Sequence, residues 1–218
     1  MTGPGVVTGP DYRAEGSGLL AVAGRALAAE AARFAGIGWM RGTSGNLSIV
    51  LNRAPLRLAV TVSGLDKGDL TSADVVVVDS LGRAVPEQPR PDLIPSAEAE
   101  LHARVASLSG AGAVVHVHAL PAVLAGHWWP DGIELRDLEM LKGIGRSAHD
   151  DLVTIPVVPN GQDMRLLGDE VEKVFDPRTP AVVVARHGMY AWGRDLLQAR
   201  HHTEIVEFLL QFAVESRR

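Results

Sequence analysis

Apolar residues recur at helical spacing from Leu19 to Phe34, in a stretch rich in Ala, Leu, Glu and Arg that Gly36 and Gly38 end. The pattern then changes to short β-branched runs. Asn46 to Leu51 and Leu58 to Val62 read as strands around the turn-like Asn52-Arg53-Ala54-Pro55, and Val75 to Asp79 reads as a third, followed by the hairpin connection Ser80 to Arg83. Glu87 to Pro95 holds three prolines and reads as an extended loop. A helix is expected from Ser96 to Ser107, with Ser96 as N-cap. Shorter helical stretches follow at Pro121 to Gly126 and Arg136 to Lys142, then a strand at Val153 to Val157 and a helix at Asp163 to Phe175. Ala181 to Arg186 and Tyr190 to Trp192 read as strands, and Asp195 to Glu215 as a long closing helix. Several strand pairs have connections too short for parallel crossovers. The expected fold is α/β, with a mixed, mainly antiparallel sheet and helices on its faces.

The chain has 218 residues, enough for one substantial domain and too few for two typical ones. The Gly- and Pro-rich residues 1–18 lack the charged-then-apolar order of a secretory signal and read as a disordered leader; 19–218 reads as a single domain. A net charge of -5 gives no support for nucleic-acid binding. No apolar stretch approaches the length needed to cross a bilayer, so no membrane partner and a cytoplasmic location are expected. The absence of cysteine excludes disulfides, thiolate metal sites and a cysteine nucleophile. Any metal must be held by His, Asp, Glu or water.

Two imidazoles sit inside the apolar run Ala113 to Leu120. Residues i and i+2 of a strand project from one face, so His116 and His118 point together out of a buried element. Such a pair is either hydrogen-bonded core or the start of a metal site that needs further ligands. His187, at the end of the strand Ala181 to Arg186, is the candidate third ligand, and three nitrogens leave the open position of a catalytic zinc. The loop Gly42-Thr43-Ser44-Gly45-Asn46 can turn backbone N–H groups toward a phosphate. Ser63-Gly64 after a strand and Ser96 at a helix start are further anion candidates. Glu98 reads either as helix-dipole stabilisation or as chemistry. Glu139 lies in the apolar stretch Leu135 to Ile144 and reads either as an exposed glutamate or as a desolvated acid/base with a raised pKa. His102 reads as a packing residue, and His127, His149, His201 and His202 as solvated. Trp128-Trp129 reads as a subunit contact, a pocket wall or a loop anchor.

Taken in order, Gly42 to Asn46, Ser63-Gly64, Pro95-Ser96-Ala97-Glu98, His116-Val117-His118 and Arg186-His187-Gly188 resemble the class II aldolase/adducin superfamily over about residues 19–215. Glu139 to Lys142, Pro159 to Asp163 and His187 to Gly193 are most similar to its sugar-phosphate dehydratases. The resemblance implies a three-layer α/β/α fold and a homotetramer with sites near subunit interfaces. It implies one zinc per subunit on His116, His118 and His187, with Glu139 as acid/base and Glu98 working at the metal. Thr43, Ser44, Gly45, Asn46, Ser63, Gly64 and Ser96 would bind a sugar phosphate. The implied reaction is dehydration of a methylthio-substituted ketose phosphate in methionine salvage; a class II aldolase or epimerase, or a non-catalytic interaction module, are the alternatives. Two positions depart from the superfamily pattern: Ala97, where the aldolases commonly carry a second serine, and Arg186, where a glycine usually precedes the histidine.

Overall fold

A computed structural model describes residues 12–86, 88–146 and 151–217. Its elements are helix α1 (Tyr12–Gly36), strands β1 (Asn46–Arg53), β2 (Leu56–Thr61) and β3 (Val75–Val78), helix α2 (Ala99–Ser109), strand β4 (Ala113–Val117) and helix α3 (Leu120–Trp128). Strand β5 (Ile133–Leu135), a 3-10 helix (Glu139–Ile144), strands β6 (Val153–Ile155) and β7 (Val157–Val158), helix α4 (Met164–Val174), strands β8 (Ala181–Val184) and β9 (Gly188–Gly193) and helix α5 (Leu196–Ser216) complete the order.

Among the described residues, seven strands form one sheet in the order β3-β2-β1-β4-β9-β8-β7. Every pairing in it is antiparallel except β7 with β8. Strand parity splits the core in two. Ala59, Val77, Val115, Val183 and Met189 face one layer, where α1, α3 and α5 pack. Val60, Val76, Val114, Val182, Val184 and Tyr190 face the other, where α2 and α4 pack. With both faces covered, the strands read as unbroken apolar runs rather than as alternation. The three-layer, mainly antiparallel expectation is the observed architecture, and no helix among the described residues is long and apolar enough to cross a membrane.

Several local expectations are corrected. Helix α1 runs from Tyr12 and so overlaps the end of the segment expected as leader; residues 1–11 lie outside the described residues. Helix α2 starts at Ala99, not Ser96: the Ser96 hydroxyl accepts from the Glu98 N–H in a turn, and Glu98 occupies the N-cap without a capping bond. Val153 to Val157 is two strands, since Pro156 offers no N–H for a ladder and lets β6 join β5 while β7 joins β8. Helical structure near Arg136 is confined to the 3-10 turn from Glu139. His202 is half-buried rather than solvated, with Nδ1 donating to the Trp192 carbonyl at 2.6 Å. His127 and His201 are exposed, whereas His149 lies outside the described residues. Trp128 and Trp129 anchor the end of α5, where the Arg217 guanidinium lies 5.1 and 5.4 Å from their ring centres.

Helix α5 also buries Glu207, 8% exposed, whose carboxyl burial raises above the ordinary range. A raised value means the fold favours the neutral acid, so its stability contribution is complete below about pH 4.5 and is lost as pH rises through the folded value. Glu207→Gln, which removes the buried charge, is therefore expected to raise Tm at pH 7. The gain shrinks toward acid pH in a thermal-melt series, and a pH-independent gain would contradict the burial argument.

Candidate metal centre

Register places the site across three strands. Asn46 on β1 pairs with His116 on β4, and His116 pairs with Tyr190 on β9. All three are buried on the layer face covered by α2. The Tyr190 ring stacks on His116 at 4.1 Å between ring centres. His118 follows the end of β4, and the tight β8–β9 turn brings in His187. Two glycines permit this crowding. A side chain at Gly188 would meet the Val117 carbonyl oxygen at 2.3 Å and His118 Cδ2 at 3.2 Å. One at Gly45 would meet Met40 Cγ at 2.7 Å, and Gly45 also has a φ of +75°, which glycine adopts without strain. Arg186 holds a φ of 59° in the β8–β9 turn, a left-handed conformation that explains why glycine suits the position.

The ligating atoms of His116, His118 and His187 lie within 4.8 Å of one another, and among the described residues this is the cluster of His, Asp and Glu able to hold an ion. His116 Nδ1 donates to the Met189 carbonyl at 3.0 Å, so its Nε2 carries a free lone pair toward the cluster. His118 Nε2 lies 2.9 Å from it. At that distance a His118 Nε2–H donates to His116 Nε2, and loss of that proton to a cation would turn both nitrogens into ligands. Burial, then the neighbouring His118 and His187, push the His116 pKa well below 6.5; burial and His187 lower that of His118. Both rings are thus neutral at pH 7, the form that binds metal. His187 Nδ1 is buried without a hydrogen-bond partner among the described residues. Three imidazoles without a thiolate match the donor set of a catalytic divalent-cation site.

Glu98 is the carboxylate at this cluster. Its Oε2 lies 3.3 Å from His116 Nε2 and its Oε1 lies 3.2 Å from His187 Nε2. Glu139 stands elsewhere, on the 3-10 helix packed against α5, with a side chain 76% exposed and bonded to Lys142 Nζ at 2.8 Å. Within one chain, Glu98 rather than Glu139 meets the imidazoles.

The candidate anion loops converge beside these groups. The loop 42–46 ends at Asn46, the ladder partner of His116. The Ser63 N–H donates to the Ile94 carbonyl at 3.0 Å, and Val62 bridges Pro95, which sets Ser63-Gly64 against Pro95-Ser96. Lys67 ties the loops together: its ammonium, 1% exposed, donates to the carbonyls of Thr43 at 3.0 Å and Leu65 at 2.8 Å. Gly42 and Gly64 have open space at the Cβ position, and the Ser44 hydroxyl is buried without a partner among the described residues. The Asn46 side chain is the exception among the expected phosphate groups. Its amide is held by Glu98 and His102, and its backbone pairs with His116 in the ladder, so Asn46 supports the cluster rather than a phosphate.

His102, Ser48, Tyr190 and Lys67 belong to the site or its support and were not expected there. His102 had a usable signal, since it lies one helical turn after Glu98 and shares its face. Tyr190 lies two residues beyond Gly188 on a strand opposite the histidine strand, but only the register shows that it faces His116. Burial and the nearby Glu98 carboxylate hold the Tyr190 hydroxyl pKa well above its ordinary value.

Comparison with known proteins agrees with this geometry. Residues 25–214 match the family model described as the Class II Aldolase and Adducin N-terminal domain. A methylthioribulose-1-phosphate dehydratase from Persephonella marina is 35% identical over 177 residues, covering 80% of this chain and 81% of that protein. One from a Sulfurihydrogenibium species is 38% identical over 177 residues, covering 80% of each. An L-fuculose 1-phosphate aldolase structure superposes with a TM-score of 0.72 over 90% of this chain and 86% of the other, at 21% identity, a likeness of fold. With the family model matched over nearly the whole described chain, the protein belongs to the class II aldolase and adducin N-terminal domain family.

Proposed function

We propose that this protein dehydrates 5-methylthioribulose 1-phosphate to 2,3-diketo-5-methylthiopentyl 1-phosphate, a step of methionine salvage. The observation that carries the reading is a buried cluster of three imidazoles with one carboxylate beside it, in a chain 35–38% identical to dehydratases of that name. His116, His118 and His187 hold a divalent cation, zinc in this reading. When bound, the cation supplies Lewis-acid polarisation of the substrate ketone.

The remaining work falls to side chains. A proton next to a carbonyl must be removed from C3, and the C4 hydroxyl must leave as water. Glu98 sits against the ligand imidazoles, so its carboxylate is assigned the C3 proton. The departing C4 hydroxyl needs an acid on its other side. Glu139, exposed on the surface of its own chain, is assigned that role in the site of a neighbouring copy in a homotetramer. The resulting enol tautomerises to the 2,3-diketone. Backbone N–H groups of loop 42–45, with Thr43, Ser44, Ser63, Gly64 and Ser96, hold the phosphate so that C3 meets Glu98.

Incubation of the purified protein with methylthioribulose 1-phosphate is expected to yield the diketone. Dialysis against a chelator abolishes turnover, and added zinc restores it. A chelated, metal-free protein that still turns over at the untreated rate overturns the metal assignment, and aldehyde products in place of diketone overturn the reaction class.

A further inference from the structure

Beneath the imidazole cluster runs a buried chain of hydrogen bonds whose polarity is fixed at one end. Asn46 Nδ2 lies 2.6 Å from Glu98 Oε2, and a carboxylate can only accept, so the Asn46 NH2 group must face it. The Asn46 Oδ1 then faces His102 Nε2 at 2.5 Å, which obliges that nitrogen to carry the proton. His102 Nδ1 is therefore bare, and it accepts from the Ser48 hydroxyl at 2.8 Å. Ser48 and His102 are fully buried, and Asn46 nearly so. We infer that Ser48 and His102 are positioning residues that lock one amide orientation of Asn46, and through it hold one oxygen of Glu98 so that the other is presented beside His187. This rests on the proposed role of Glu98.

Packing supports the chain. His102 lies one turn after Glu98 on α2, and its backbone N–H donates to the Glu98 carbonyl at 3.1 Å, so one helix end fixes both side chains. The His102 ring meets the Tyr190 edge at 5.6 Å, while Tyr190 stacks on His116. Burial, with a smaller contribution from His116, holds His102 down to about 3, so the ring stays neutral and the tautomer is its only variable. Were the tautomer reversed, Asn46 would have to flip and turn its oxygen toward the Glu98 carboxylate. Two acceptors would then face each other in a water-poor site, and the carboxylate would swing away.

Three variants and one spectrum test this. His102→Leu should lower kcat about 10–100-fold with KM within about threefold and metal content unchanged, the size of effect seen when a supporting hydrogen bond behind a metal site is lost. His102→Gln, whose amide N–H can replace Nε2–H, should recover most of that loss. Ser48→Ala, which removes the hydrogen-bond partner of His102 Nδ1, should lower kcat less than His102→Leu does. Nitrogen NMR of histidine-labelled protein should show His102 protonated at Nε2 and bare at Nδ1. Wild-type kcat in His102→Leu, equal losses in the Leu and Gln variants, or a proton on Nδ1 overturns the proposal. The spectrum needs no substrate: a wild-type protein that does not dehydrate the sugar phosphate defeats the proposed function, while the tautomer still decides the lock.

Discussion

Glu98→Gln is expected to keep the metal and lose the reaction. Glutamine matches glutamate in shape and still offers an oxygen to Asn46 Nδ2, so the N-cap, the imidazole cluster and the fold have no reason to change. What it cannot do is take a proton from carbon. Removing a positioned acid/base costs about 10²–10⁴ in rate, and the carboxylate is the only general base touching the three-histidine cluster among the described residues, so kcat should fall toward the upper end of that range. KM should move little, because the phosphate loops are untouched. The check is diketone formation at saturating substrate alongside metal analysis of the same preparation. Normal kcat would remove Glu98 from the chemistry, and loss of the metal would recast it as a ligand.

How far the site was legible follows from what sets each part. The histidine pair was legible because strand periodicity alone puts i and i+2 on one face, and His187 because a histidine at a strand end beside glycine has few other places to point. The glycine-serine loops were legible as turns, and the register then stacked them beside His116. Which carboxylate serves the cluster was not legible. That choice depends on where α2 begins and on the path of the 3-10 helix, and neither is set by local propensity: Glu98 is the N-cap because the Ser96 turn shifts the helix start by two residues. The Asn46–His102–Ser48 chain was hidden for a similar reason. It joins a strand to a helix more than 50 residues away, and only the fit of α2 on the sheet decides that these polar groups meet. Strand β5 escaped because three residues carry no readable period, and β6 and β7 merged because Pro156 lies inside an otherwise apolar run.

Mixing two inactive variants is expected to restore activity. Glu139 lies 76% exposed and bonded to Lys142, where solvent would level any tuning of its acidity. Exposed apolar side chains lie on the same 3-10 segment and on the helix it packs against. Met140 beside it is 38% exposed, and Phe208 and Phe212, one turn apart on the helix that the 3-10 segment packs against, are 46% and 47% exposed. In the proposed oligomer another copy would cover these apolar groups, and that covering would desolvate Glu139 where one chain cannot. Glu98→Gln and Glu139→Gln should each be nearly inactive alone. Co-expressed in equal amounts, they should regain about one quarter of wild-type activity, since random assembly of a closed symmetric oligomer gives one site in about four both native carboxylates. Activity no greater than that of the two variants alone would place Glu139 in its own chain's chemistry or outside the reaction. An active Glu139→Gln homo-oligomer would leave Glu98 as the sole carboxylate of the site.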